Sequence, residues 1–94
     1  MRPWRILPVN GELLEFPRVP RTARENAQLK KFGDNVRRER NALGMTQATL
    51  SDLIEIDIRN VRKIEAGETN VLVTTATRIR KALGCSADKL MPRE

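Results

Sequence analysis

From Pro20 onward the apolar residues fall at helical spacing. Leu29, Phe32, Val36 and Leu43 recur with charged residues between them, and Gly44 follows. This spacing predicts a helix that Gly44 ends. Thr22 and Glu25 stand in the S/T-x-x-E arrangement of a capping box, which marks its start. Thr46 is placed to cap a second helix with Leu50, Leu53 and Ile54 as its apolar stripe. Asp57 can cap a third, "IRNVRKIEA", which Gly67 closes. A fourth is expected over about residues 74–83, with Ala76, Ile79 and Leu83 inward and Gly84 after it. Ser86 is expected to cap a short fifth, "ADKLM", stopped by Pro92. Residues 22–91 thus read as all-α, with short connections and no internal repeat.

The first 21 residues follow another pattern. They hold four of the five prolines (Pro3, Pro8, Pro17, Pro20) and the only tryptophan, Trp4. In "RILPVNGELLEF" the pair Asn10-Gly11 separates two partly apolar runs. Asn-Gly is a strong hairpin signal because both central residues of a type I′ turn need positive φ. Pro8 lacks a ladder donor, so a strand there is an edge strand or irregular. An isolated hairpin is marginal in water and needs something to pack on; packing is the default role of Trp4 and Phe16. The alternative for "RPWR" and "PRVPR" is a basic arm that enters a minor groove. The expected division is 1–21 as arm or hairpin and 22–94 as the helical domain.

The third predicted helix is lopsided in chemistry. On a wheel of about 100° per residue that starts at Ile58, Arg62, Ala66, Arg59 and Lys63 occupy a sector from about 40° to about 140°. Val61 and Ile64 lie opposite, at about 300° and 240°. One side is therefore a core edge and the other is cationic. The planar forks of Arg59 and Arg62 can bind guanine O6 and N7 in bidentate fashion. Lys63 can contact a phosphate or a guanine. Ile58 can pack on a thymine methyl or serve as a partly buried cap contact. The second helix begins at Thr46-Gln47, where free backbone N–H groups and the positive dipole end suit a phosphate. By itself such a face is also consistent with ordinary solvation.

Composition sharpens this picture. Lys and Arg number 18 against 12 Asp and Glu, a net charge of +6, which favours anionic partners. Aromatic residues are 3% of the chain and tyrosine is absent, which argues against base-stacking recognition of single strands or RNA. Cys85 is the only cysteine and there is no histidine, so no disulfide framework, common zinc site or His-based triad is expected. A small buried residue is the expectation for Cys85. No metal, cofactor or catalytic residue is expected. The start "MRPWRILPVNG" lacks the apolar core of a signal peptide, and no apolar run approaches the ~18 residues of a membrane span. A cytoplasmic protein is expected.

"VRRERNALGMTQATLSDLIEIDIRNVRKIEAG" resembles the helix-turn-helix of the phage repressor, Cro and Xre-like family. The matching positions are Val36, Arg37, Arg40, Gly44, Met45, Thr46, Gln47, Leu50, Ile56, Val61, Ile64, Glu65 and Gly67. "ATRIRKALGCSADKLM" is similar to the family's closing helices. The resemblance covers about residues 28–92. It implies an all-α, five-helix, lambda-repressor-like domain. It also implies base contacts from Ile58, Arg59, Asn60, Arg62 and Lys63, and phosphate contacts from Thr46, Gln47, Thr69 and Asn70. It further implies an internal ion pair, Arg40 with Glu65, joining the first helix to the third. The chain departs from the family at three places. Glu55 stands where a turn glycine is usual; a positive φ there would cost about 1 kcal/mol, or the turn takes another shape. Ser51 replaces a small alanine, and Glu68 stands where relatives carry a base or Asn.

The leading expectation is a sequence-specific regulator of transcription that represses as a homodimer on a near-palindromic stretch of double-stranded DNA. The alternative is the antitoxin of a toxin–antitoxin module, with residues 1–21 extending the sheet of a toxin or other protein partner. An enzyme stands a distant third.

Overall fold

The computed structural model describes residues 21–92 in full and, ahead of them, the backbone of two strands. These strands, β1 (Trp4–Val9) and β2 (Glu12–Pro17), pair antiparallel. Trp4 stands opposite Pro17 and Val9 opposite Glu12, so two residues separate the strands. Those two, Asn10 and Gly11, lie outside the described residues, as does the type I′ turn expected of them. Pro8 pairs opposite Leu13 within this two-stranded ladder, where each strand is an edge.

Five helices follow: α1 (Ala23–Ala42), α2 (Gln47–Ile54), α3 (Ile58–Ala66), α4 (Val73–Leu83) and α5 (Ala87–Leu90). The start of α1 is a complete capping box. Thr22 Oγ1 accepts from the Glu25 N–H at 3.1 Å, and Glu25 Oε1 accepts from the Thr22 N–H at 2.9 Å. Thr46 caps α2 by accepting from the Thr49 N–H at 3.0 Å. Asp57 caps α3, and α4 begins at Leu72 with no side-chain cap bond. The cap expected of Ser86 is corrected: Ser86 is the N-cap residue of α5, but its side chain makes no cap bond to this one-turn helix.

The core is one cluster built from every helix: Phe32, Val36, Leu50, Ile54, Val61, Ile64, Ile79, Leu83 and Leu90. Helix α1 packs on α3, α4 and α5, and α2 packs on α3 and α4. Asn35, buried on α1, donates to the Leu90 carbonyl at 2.9 Å, and Arg38 Nη2 donates to the Lys89 carbonyl at 2.9 Å. Both bonds satisfy carbonyls at the end of a one-turn helix that has few partners of its own.

Two apolar expectations are corrected. Leu43 and Leu53 are 55% and 56% exposed. Leu43 is the C-cap residue of α1, so it has left the helical row that Phe32 and Val36 follow. In α2 the buried residues are Leu50, Ser51 and Ile54. Burial of Ser51 rotates the inward face away from Leu53, by about 60° on the wheel. Cys85, expected to be buried, is half-buried against the core.

Glu55 ends α2 in the left-handed region, at φ 56° and ψ 43°. Among the described residues it is the only non-glycine with positive φ. The reason lies one residue on. The Ile56 N–H donates to the Ser51 carbonyl at 3.1 Å while its side chain packs on the core, and the chain reaches that position only through a left-handed residue. Glu55→Gly is therefore expected to stabilise the domain by about 1 kcal/mol, reduced by the extra unfolded-state entropy of glycine. A chemical denaturation midpoint unchanged or lowered in this variant would contradict the account.

Candidate nucleic-acid interface

Helices α2 and α3, joined by residues 55–57, form the unit on which the expected contact residues stand. The unit is fixed from behind by a buried carboxylate. Glu65 of α3 is fully buried. Arg40 Nε donates to its Oε2 at 2.8 Å and Arg40 Nη2 to its Oε1 at 3.0 Å, a parallel two-bond pair that ties α1 to α3. The remaining nitrogen, Arg40 Nη1, donates to the Met45 carbonyl at 2.8 Å, so the pair also holds the chain entering α2. Arg37, half-exposed, brings a second guanidinium to 3.6 Å from Glu65 Oε1. Burial pushes the Glu65 pKa up, but the hydrogen bonds from Arg40 and Gln47 and the nearby arginine charges prevail, so it falls below the ordinary glutamate value.

Gln47 stands differently from the expectation placed on its side chain. Its Nε2 donates to Glu65 Oε1 at 3.1 Å, so the amide faces inward and completes the carboxylate's bonds. What α2 offers outward at its start is backbone. The Gln47 and Ala48 N–H groups belong to the first turn, where a helix has no acceptor for them. Thr46 Oγ1 is engaged with Thr49.

On α3, Val61, Ile64 and Glu65 are buried, while Arg59, Asn60, Arg62 and Lys63 are exposed and Ile58 is half-buried. No side-chain partner is found for Arg62 or Lys63 among the described residues. Arg59 is held by its own capping residue. Asp57 Oδ1 accepts from the Arg59 N–H at 2.8 Å and from its Nε at 3.3 Å, and Oδ2 accepts from Nη2 at 3.3 Å. These bonds, first from the guanidinium and then from the backbone, keep the Asp57 carboxyl below its ordinary value. Thr69 and Asn70, in the loop after α3, line one depression together with Asn60 and Ile64. The expected residues therefore fall into separate groups: a knot of buried Arg40 and Glu65 with half-buried Gln47, an outward cationic row on α3, and a polar rim at Asn60, Thr69 and Asn70.

Three contributors were not singled out from sequence for these roles. Arg37 matches the family pattern, but that match carries no information that it lies beside Glu65. The grip of Asp57 on Arg59 follows a Ser/Thr/Asp/Asn cap signal that carries no information about side-chain pairing. Gly33 of α1 lies against α3, where an added Cβ would stand 2.4 Å from the Ile64 carbonyl oxygen. A glycine inside a predicted helix was the available signal.

A helix-turn-helix unit with a cationic outer face on its second helix defines a DNA-binding class of domain. The sequence pattern of the helix-turn-helix family matches residues 36–90, and the chain belongs to that family of DNA-binding transcriptional regulators. The chain is similar to the solved restriction-modification controller protein C.AhdI from Aeromonas hydrophila, with 34% identity and a TM-score of 0.67 over 69% of this chain and 98% of that one. It is also similar to the clp gene regulator ClgR from Corynebacterium glutamicum, at 25% identity and a TM-score of 0.65 over 67% of this chain and 68% of that one. A third likeness is to the hydroxypropylphosphonic acid epoxidase of S. wedmorenis, at 26% identity and a TM-score of 0.66; the chain spans 36% of that protein. No curated protein matches the chain. Among the described residues no helix is long and apolar enough to cross a membrane.

Proposed function

We propose that this chain is a repressor that binds a near-palindromic operator as a homodimer, with α3 in the major groove. The observation that carries the reading is the exposed row Arg59, Arg62 and Lys63, set on a helix whose opposite side is locked to α1 through Glu65. A rigid mount of this kind lets side chains meet base edges in fixed register. In this reading Ile58, Arg59, Asn60, Arg62 and Lys63 face bases. The backbone at Thr46 and Gln47, with Thr69 and Asn70, takes phosphates. A single recognition helix reads only a few base pairs, so two copies supply specificity. The dimer reading is supported by an apolar surface away from α2 and α3, where Val73 and Met91 are exposed beside a hollow lined by α1, α4 and α5. C.AhdI is a restriction-modification controller, which makes control of such genes one form of the proposal. The regulator reading is preferred to an enzymatic one because the match to C.AhdI spans nearly all of that controller, whereas the epoxidase match spans about a third of the enzyme.

Selection of bound duplexes from a random pool tests the proposal, since it returns site and symmetry together. With that operator, Arg59→Ala is expected to cost ~1–3 kcal/mol and to relax base preference at symmetric positions. Arg78→Ala on α4 should have little effect. Affinity should fall with salt by about 0.9 log units per phosphate contact per log unit of salt. An equal loss on every sequence would make Arg59 a phosphate clamp, and no loss would remove α3 from the groove.

The antiparallel pair β1–β2 supports a second reading, an antitoxin whose residues 1–21 form a separate partner-binding unit. Both outer strand edges are unpaired among the described residues and suit strand addition. Co-purification of a small protein lost on removal of residues 1–21 would favour it.

A further inference from the structure

The capping of α3 needs only one acceptor. The oxygen of Ser, Thr, Asn or Asp serves equally well there, and Asp57 Oδ1 fills the role by accepting from the Arg59 N–H at 2.8 Å. The rest of the Asp57 carboxylate serves the guanidinium of the same residue. Oδ1 accepts Nε and Oδ2 accepts Nη2, each at 3.3 Å. One carboxylate thus grips Arg59 at both its backbone and its tip. A guanidinium carries five N–H donors in a planar fork. The side edge, Nε with Nη2, is the one Asp57 occupies. The end edge, Nη1 with the outer N–H of Nη2, remains outward and presents two parallel donors. That spacing matches O6 and N7 of guanine. The side chain of Arg59 is 81% exposed, so without the carboxylate nothing else among the described residues would orient it. Arg62 and Lys63, with no partner among those residues, lack this restraint.

We propose that Asp57 is a positioning residue for base recognition, holding the side edge of Arg59 so that its end edge meets a guanine in the operator. The inference rests on the reading that α3 enters the major groove. It deepens that reading by naming the base that the Asp57–Arg59 pair selects. Asp57 also sets a negative charge beside a surface that faces phosphates. Its removal therefore acts in opposite senses: it loosens the specific contact and strengthens general attraction to DNA. A residue with only a structural role would weaken both together.

The test uses the full chain and the operator selected by the unaltered protein. Binding is measured at one fixed salt concentration to that operator, to each single-base variant and to a random duplex. The proteins are the parent, Asp57→Ser, Arg59→Ala and the double variant. Serine retains the cap, so the thermal melt of Asp57→Ser should stay close to the parent's. Its preference for guanine at the Arg59 position should fall roughly fivefold to tenfold, a part of what a bidentate contact discriminates. Its affinity for random duplex should be equal or higher. In the Arg59→Ala background the same substitution should leave base preference unchanged. If Asp57→Ser melts early, Asp57→Asn, which retains the cap and one acceptor, should show a smaller drop in the same direction. An unchanged guanine preference in Asp57→Ser, alongside a lost one in Arg59→Ala, overturns the positioning role and leaves the groove reading standing. A drop that persists in the Arg59→Ala background overturns it too. Base preference intact in Arg59→Ala overturns the positioning role of Asp57, and only if affinity is unchanged as well does the groove reading fall with it.

Discussion

Glu65→Ala should lose about 3–5 kcal/mol of folding stability, the cost of removing one partner of a buried ion pair. For a domain of this size total stability is on the order of 5–15 kcal/mol, so the variant should be partly unfolded under ordinary conditions. The loss arises because Arg40, itself buried, keeps its charge while three donors lose their acceptor: Arg40 Nε, Arg40 Nη2 and Gln47 Nε2. Glu65→Gln keeps the shape and part of the bonding and should lose less. The carboxyl pKa in the folded state lies below its unfolded value. Its contribution is therefore complete above the ordinary glutamate range, about 4.3, and is lost as pH falls through the folded value. Chemical denaturation at neutral pH and thermal melts taken downward from it check both points. The parent should lose stability on acidification more steeply than Glu65→Gln. Some slope should remain in Glu65→Gln, because the carboxyls of Glu25, Asp34 and Asp57 are also depressed. A Glu65→Ala variant as stable as the parent would show that the pair contributes nothing.

Gly33→Ala is expected to lose about 3 kcal/mol, the upper end for overpacking, because the added atom meets backbone rather than a side chain that can turn away. Its Cβ would stand 2.4 Å from the Ile64 oxygen, 2.6 Å from the Glu65 oxygen and 2.8 Å from the Glu65 carbonyl carbon. Either α1 or the end of α3 must shift, and Glu65 moves with it. DNA binding should therefore fall together with stability. Gly84→Ala provides the contrast. Gly84 has φ 64° with open space where a Cβ would lie, so alanine there should lose only about 1 kcal/mol, the left-handed penalty. Equal melting temperatures for the two variants would mean that helix spacing at Gly33 is not as close as the distances state.

Much of the architecture was legible because it depends on local chemistry. Thr22 with Glu25, Thr46 and Asp57 announce helix starts through oxygens that accept from nearby N–H groups, and those bonds form in the structure. Val61 and Ile64 fix which side of α3 turns inward, and the cations on the other side follow from the same period. Other features were not legible. The rotation of α2 that exposes Leu53 depends on the burial of Ser51, and a count of apolar residues gives a serine no weight. The left-handed Glu55 was flagged only as a departure, since the sequence left open whether the turn bent or strained. The structure keeps the turn and places Glu55 in the strained region so that Ile56 can reach the core.

By itself the sequence determined the helices, the caps of α1, α2 and α3, the inward side of α3 and a family pattern over 36–90, because the local features are set by residues within a few positions of one another. Tertiary structure alone decided what depends on residues distant in sequence but adjacent in space. Gln47 is turned from the surface to Glu65, eighteen positions away, since a buried carboxylate recruits any donor within reach. Gly33 is set against the α3 backbone, and Asn35 is fastened to the Leu90 carbonyl fifty-five positions on. No spacing rule encodes such pairings, because they come into being only when the helices have closed on a common core and every buried polar group has to find a partner there.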